Sequence, residues 1–159
     1  TLATTVIHQK KFSKEKFKIF HPGGNIGNSL LLAKDIMVTG KKMPIINHKK
    51  KFKDALKIMN QKNLGIVVIQ KNRFIKGLVT DGDLRRELKN YSNNDYLSKF
   101  MTKKPYVVNE NMPASKALAM MNEKKITSLL VVSDKDFSKA NRVLKGIIHI
   151  HFLLQTGIK

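Results

Sequence analysis

The chain states one pattern twice: the stretch from Asp35-Ile36-Met37 to Asp83-Leu84 is echoed by the stretch from Phe100-Met101-Thr102 to Phe152-Leu153. Ala55-Leu56-Lys57 with Met59 falls on Ala117-Leu118-Ala119 with Met121 at an offset of 62, and Gly77-Leu78-Val79 falls on Gly146-Ile147-Ile148 at an offset of 69. The second copy therefore carries seven extra residues between those landmarks, in the polar run 133–141, which reads as a loop. A duplicated unit is one supersecondary module folded twice, usually about a pseudo-two-fold axis, and the cleft between the copies is a natural binding place. On this reading Ala55/Met59 and Ala117/Met121 face one common core.

Periodicity supplies the module. In the first copy Pro44-Ile45-Ile46 is a short strand, and Phe52, Ala55, Leu56 and Met59 follow at helical spacing on a helix ending near Asn63. Strands at 65–70 and 74–80 come next, joined by the polar turn Lys71-Asn72-Arg73, and a helix from Gly82 carries Leu84 and Leu88 inward. The second copy repeats the order: a strand at Val107-Val108, a helix entered at Pro113, strands at 128–132 and 143–150, then a helix at 152–155. Each copy reads β-α-β-β-α, an α/β (α+β) tandem. Ahead of them, Ser13 can cap a helix over 14–20 that the His21-Pro22-Gly23-Gly24 run stops, and a second helix can start over 27–32.

Composition excludes some classes. There is no Cys, so no disulfide framework or cysteine-metal site, which leans toward a reducing cytoplasm. The longest apolar runs, such as Ile66-Val67-Val68-Ile69, are strand-sized, so no membrane span is expected. The chain opens on Thr1, without the charge order of a secretory signal, and reads as a piece of a longer polypeptide. A formal charge of +20 first suggests nucleic acid. Against that, Arg is limited to Arg73, Arg85, Arg86 and Arg142, the lysines are scattered, and no basic cluster alternates with stacking aromatics. Charge of this size still concentrates any small anionic ligand.

Gly77-Leu78-Val79-Thr80-Asp81-Gly82-Asp83, closing the third strand of a tandem β-α-β-β-α unit, resembles the ending of the cystathionine-β-synthase-type (CBS) domain pair. The chain as a whole is similar to the arabinose 5-phosphate isomerases. The residues that carry this are His21-Pro22-Gly23-Gly24 with Gly27 and Leu30-Leu31-Leu32, then Asp35-Ile36-Met37, Lys62-Asn63-Leu64-Gly65, Thr80-Asp81-Gly82-Asp83-Leu84-Arg85-Arg86 and Ile126-Thr127-Ser128. The resemblance implies that residues 1–33 are the tail of a sugar-isomerase (SIS) domain, 34–92 the first CBS repeat and 93–159 the second. It implies that His21 reaches a catalytic site lying mostly on that upstream domain. There ribulose 5-phosphate would pass to arabinose 5-phosphate through an enediol, toward the lipopolysaccharide sugar Kdo; the chain alone is expected to have no isomerase activity. The pair would sense a small anionic regulator, the cytidine monophosphate ester of Kdo (CMP-Kdo) or an adenine nucleotide, with no cofactor required. It would help build a homo-oligomer, a dimer of CBS pairs within a tetrameric parent.

The ligand contacts expected in that cleft are Ile45, Gly65, Ile66, Thr80, Asp83 and Arg85 from copy one, with Thr127, Ser128, Lys145, His149 and His151 from copy two. A hydroxyl and free N–H groups where strand gives way to helix can hold phosphate, and a carboxylate can take two ribose hydroxyls, so Thr80 and Asp83 suit a nucleotide. The same two residues suit simple helix capping. Arg85 or Lys145 would pair with a carboxylate, or Arg85 with a surface partner. In copy two Phe152 stands where copy one has Asp83, and His149 where it has Thr80, so an adenosine-type mode is not expected there. His149 and His151 share a face if the strand continues, which suits a hydrogen-bonding pocket; without a third ligand they make no metal site. The competing readings are a purely structural dimerisation module and, on charge alone, a nucleic-acid binder.

Overall fold

A computed structural model describes residues 31–87 and 95–158. The expected helix over 14–20, His21 and Leu88 lie outside them. The first copy contains Ile45–Asn47 (β1), Phe52–Lys62 (α2), Ile66–Lys71 (β2), Phe74–Thr80 (β3) and Asp81–Glu87 (α3), after a short lead-in helix, Ala33–Ile36 (α1), and a 3-10 turn at Gly40–Lys42. The second opens with a 3-10 turn at Leu97–Lys99. It continues with Val107–Asn109 (β4), Ala114–Lys124 (α4), Ser128–Val132 (β5), Asp134–Phe137 (α5), Gly146–His149 (β6) and Ile150–Gln155 (α6). In each copy the middle strand runs parallel to the first and antiparallel to the third. The two long helices stop alike. Asn63 and Lys125, 62 residues apart, both take the left-handed conformation at φ 53° and close the last turn through their N–H groups.

Three expectations are corrected. The run 133–141 is not all loop, because Asp134–Phe137 forms a helical turn, with the Ser133 hydroxyl donating to Asp136 Oδ2 at 3.1 Å. The last strand does not run from 143 to 150. Val143 makes only an isolated bridge to Phe74, and at Ile150 the chain turns helical, its N–H donating to Thr127 O at 2.9 Å. Finally, Ala55/Met59 and Ala117/Met121 face separate cores. The first pair packs with Ile46, Phe52, Val67, Ile69 and Val79, the second with Val108, Leu118, Leu129, Val131 and Ile148.

The shared core lies between the two sheets. Strand alternation sends Val67 and Ile69 of β2 toward α2 and sends Ile66 and Val68 the other way, where they meet Leu130, Leu144 and Ile147. With both faces covered, β2 is buried at four successive residues, Ile66 to Ile69, which is why it reads as an unbroken apolar run.

The copies also exchange their lead-ins. Val38, which precedes copy one, trades backbone hydrogen bonds with Ile147 of β6 at 2.8 and 3.0 Å; Thr102, which precedes copy two, trades them with Leu78 of β3 at 2.8 and 3.1 Å. Ala33 completes the core of copy two, while Leu97 completes that of copy one, where Phe100 packs on Phe52 with ring centroids 5.3 Å apart. The repeated glycines permit this. A Cβ on Gly77 would stand 2.6 Å from Thr102 O and 2.9 Å from Met101 Sδ, and one on Gly146 would overlap Met37 Sδ.

Candidate functional site

At the end of β3 the backbone turns into α3 and Thr80 and Asp83 lock together. The Thr80 N–H donates to Asp83 Oδ2 at 2.9 Å, the Asp83 N–H donates to Thr80 Oγ1 at 3.1 Å, and the Thr80 hydroxyl donates to the same carboxylate oxygen at 2.8 Å. This is a reciprocal capping box, and it satisfies two N–H groups that the helix leaves open. Arg86 pairs with the other oxygen of Asp83, and Arg85 with Asp81 Oδ2 at 3.1 Å.

Thr80, Asp81 and Gly82 form one wall of a cleft of about 320 Å³ between the copies. The other wall belongs to copy two: Thr102, Lys104 and Tyr106 of its lead-in, and the stretch from Lys125 to Ser128 at the start of β5. Inside it, Ser128 is buried and its Oγ has no hydrogen-bond partner. A buried hydroxyl without a partner costs roughly 1 to 3 kcal/mol, so its presence calls for a partner the protein alone does not supply. Lys104 and Lys125 are exposed on the same wall, giving the cleft hydroxyls within and cations at its edge.

Of the residues expected to bind, Ile66, Thr80, Thr127 and Ser128 line this cleft, and Asp83 is tied to it through Thr80. Gly65 and Arg85 line a different hollow, of about 410 Å³, on the outer face between α2 and α3. Arg85 is carried there because it follows Asp81 by four residues, one helical turn. Ile45 packs against the inter-sheet core. Lys145 pairs with Glu110 just before β6 begins, whereas the cleft lies at the strand's other end, roughly 13 Å along an extended chain. Thr102, Lys104, Tyr106 and Lys125 were missed. Repeat offsets alone locate their counterparts, but only the lead-in exchange shows that copy two supplies the wall opposite Thr80.

In copy two the matching corner is built differently. His149 ends β6, pairs across the sheet with Ser128, and its Nδ1 accepts the His151 N–H at 3.3 Å as the cap of α6. The two imidazoles, with centroids 5.0 Å apart, therefore stand on a strand end and a helical first turn, not on one strand face as expected. Burial, reinforced by His151, pushes His149 below the usual imidazole value. Phe152, in the place of Asp83, packs on the inter-sheet core. Among the described residues no group of three metal-ligating side chains forms, and no helix is long and apolar enough to cross a membrane.

Comparison with known proteins places this architecture. The CBS domain family matches residues 33–90 and 97–151, one match per copy. The uncharacterised protein RP505 of Rickettsia prowazekii is 38% identical over 156 residues, covering 97% of this chain and 47% of its own length. The arabinose 5-phosphate isomerase KdsD of Yersinia pestis is 36% identical over 161 residues, covering 99% of this chain and 47% of its own. The chain thus spans about half the length of these curated relatives. Among solved structures, the CBS domain pair of protein MJ0100 in complex with 5'-methylthioadenosine and S-adenosyl-L-methionine superimposes with a TM-score of 0.67 at 24% identity, over 82% of this chain and 99% of that one. CBSX2 in complex with AMP gives 0.65 at 20% identity, over 79% and 95%. At these identities the two structures speak for the fold.

Proposed function

Because the chain belongs to the CBS-domain family, we propose that it is the regulatory pair of an arabinose 5-phosphate isomerase and that it senses an anionic nucleotide in the cleft between Thr80 and Ser128. The observation that carries this is the buried, partnerless Ser128 hydroxyl in a cleft edged by two lysines. Solved relatives of the same fold bind AMP and S-adenosyl-L-methionine, which supports a nucleoside here as well. In this reading Ser128 and Thr80 donate to phosphate or ribose oxygens. Asp83 exchanges its bond from the Thr80 hydroxyl for ribose hydroxyls, and Lys104 and Lys125 take the charged groups. CMP-Kdo, with phosphate, ribose and sugar carboxylate, matches that set in a pathway where the isomerase acts early; an adenine nucleotide is the second ligand to test. The parent reaction, ribulose 5-phosphate to arabinose 5-phosphate, and a place for His21 in it are what the family resemblance implies and belong to the same proposal.

A thermal-shift and calorimetric series tests it. Either nucleotide at 100 times its dissociation constant should stabilise the fold by about 2.7 kcal/mol. Ser128→Ala should weaken binding by about fivefold or more while leaving the free protein as stable or slightly more so, since the hydroxyl it removes bonds to nothing. If neither nucleotide binds, the dimerisation-only reading takes its place; if Ser128→Ala binds as wild type does, the cleft is not the site.

A further inference from the structure

The chain holds no Cys, so its sulfur atoms are those of seven methionines, and an oxidant that finds no thiol acts on an accessible thioether. Two of the seven stand at matching places in the repeats. Met37 lies on Gly146 and Met101 on Gly77, each one residue ahead of the residue that trades hydrogen bonds with the other copy. Their surroundings differ. Met37 is half-buried and lines a hollow of about 530 Å³, together with Val38, Thr39 and Lys42, which is roomy enough for water or a peroxide. Met101 packs against the core of copy one and lines none of the three hollows described. Met121, 1% exposed, is shut inside the core of copy two. On its glycine side Met37 has no space to give: a Cβ on Gly146 would stand 2.3 Å from Sδ and 2.7 Å from Cγ. The side chain thus lies flat on the β6 backbone, beside the two hydrogen bonds between Val38 and Ile147. An oxygen added to the sulfur toward Gly146 meets that backbone, and one added on the open side is drawn toward solvent in the hollow. Either way the side chain lifts from Gly146.

From this placement we propose that Met37 is an oxidation site and that its sulfoxide frees the lead-in of copy one from β6. The oxidant is a peroxide. The thioether sulfur attacks one peroxide oxygen, the O–O bond breaks and the S–O bond forms; the departing hydroxide takes the proton from the transferred oxygen and leaves as water. Sulfur gives up two electrons and the peroxide takes them, and methionine sulfoxide reductases supplied with a thiol reverse the change. The lead-in of copy one follows residues 1–30 in the chain. Oxidation therefore weakens the hold of copy two on the segment by which those residues join the pair, and leaves the matching hold on the lead-in between the copies intact. No ligand in the cleft is required.

Hydrogen peroxide on the 159-residue chain, followed by peptide mass spectrometry and amide hydrogen exchange, tests this. Met37 should gain its oxygen faster than Met101, and about fivefold or more faster than Met121. In the oxidised chain the Val38 and Ile147 amides should exchange about tenfold faster, whereas those of Leu78 and Thr102, which make the matching bonds beside Met101, should change by less than about twofold. Met37→Leu keeps an apolar side chain of similar volume without the sulfur, so it should fold as the wild type does and leave Val38 and Ile147 protected in peroxide. Treating the oxidised wild type with the two epimer-specific reductases should restore the original exchange rates. The proposal is overturned if Met37 oxidises no faster than Met101 or Met121, or if exchange at Val38 and Ile147 is unchanged once Met37 carries its oxygen. It is equally overturned if all four amides loosen alike, if the loosening persists in Met37→Leu, or if the reductases do not reverse it.

Discussion

Gly77 and Gly146 occupy equivalent positions with matching consequences. Each lies beneath the lead-in of the other copy: a methyl on Gly77 meets the Thr102 carbonyl oxygen and the Met101 sulfur, and a methyl on Gly146 meets Met37 down to its Cβ at 2.9 Å. Gly77→Ala and Gly146→Ala should therefore each cost about 1 to 3 kcal/mol in urea denaturation, because no rotamer change moves a backbone oxygen or a Cβ. His149 supplies a pH dependence of known sign. Its folded-state value lies below the ordinary 6.5, so the unfolded chain takes up the proton first. Stability contributed by neutral His149 is then complete above the unfolded value and falls as the pH drops through it toward the folded one. The urea midpoint should be lower at about pH 5.5 than at about pH 7.5, and His149→Asn, which keeps a cap acceptor but does not titrate, should narrow that gap. A gap unchanged by His149→Asn would assign the effect to other groups. At this scale the sequence was readable where chemistry is local: Thr80, Asp83 and the Phe152 substitution stand out from the repeat alone. It was silent about Lys104, Tyr106 and Lys125, whose role depends on which copy they face, and it misplaced Arg85 and Lys145, whose partners Asp81 and Glu110 carry them elsewhere.

The regular elements follow from patterns of 3.6 and 2. The stripe Ala114, Ala117, Leu118 and Met121 is buried along α4, and β5, apolar from Leu129 to Val132, is buried at every residue. Truncation at Met121, 1% exposed, should leave a cavity: Met121→Ala is expected to lower stability by about 2 to 5 kcal/mol, against a change within about 0.5 for Lys116→Ala on the exposed side. The errors fell at element ends. Val143-Leu144-Lys145 reads as strand because its apolar residues run on into Gly146-Ile147-Ile148, yet only the latter three and His149 pair with β5. The turn Asp134–Phe137 hides in a polar run because a four-residue helix has too little length to show a period. That each copy has its own helix-lined core was equally hidden, since periodicity reveals a buried face and not what buries it.

For the molecule as a whole, a net charge of +20 on 159 residues sets a repulsive background. Raising salt from about 20 to about 300 mM should shorten the screening length severalfold and raise the melting temperature, the reverse of a fold held mainly by surface ion pairs. A melting temperature that falls with added salt would count against this reading. The exchanged lead-ins carry a further consequence, for folding and assembly. Neither repeat closes its hydrophobic core without a segment that precedes the other: copy one needs Leu97 and Phe100, and copy two needs Ala33 and Met37. Cutting the chain between Glu87 and Asp95 should thus yield two pieces that are each incomplete, 1–87 lacking its closing residues and 95–159 lacking its own. Mixed, they should reassociate and recover a single cooperative transition, as split halves that are interlocked do. In the intact chain the same interlocking opens a route to domain-swapped dimers, in which a lead-in closes the repeat of a neighbouring molecule, favoured when refolding is carried out at high protein concentration.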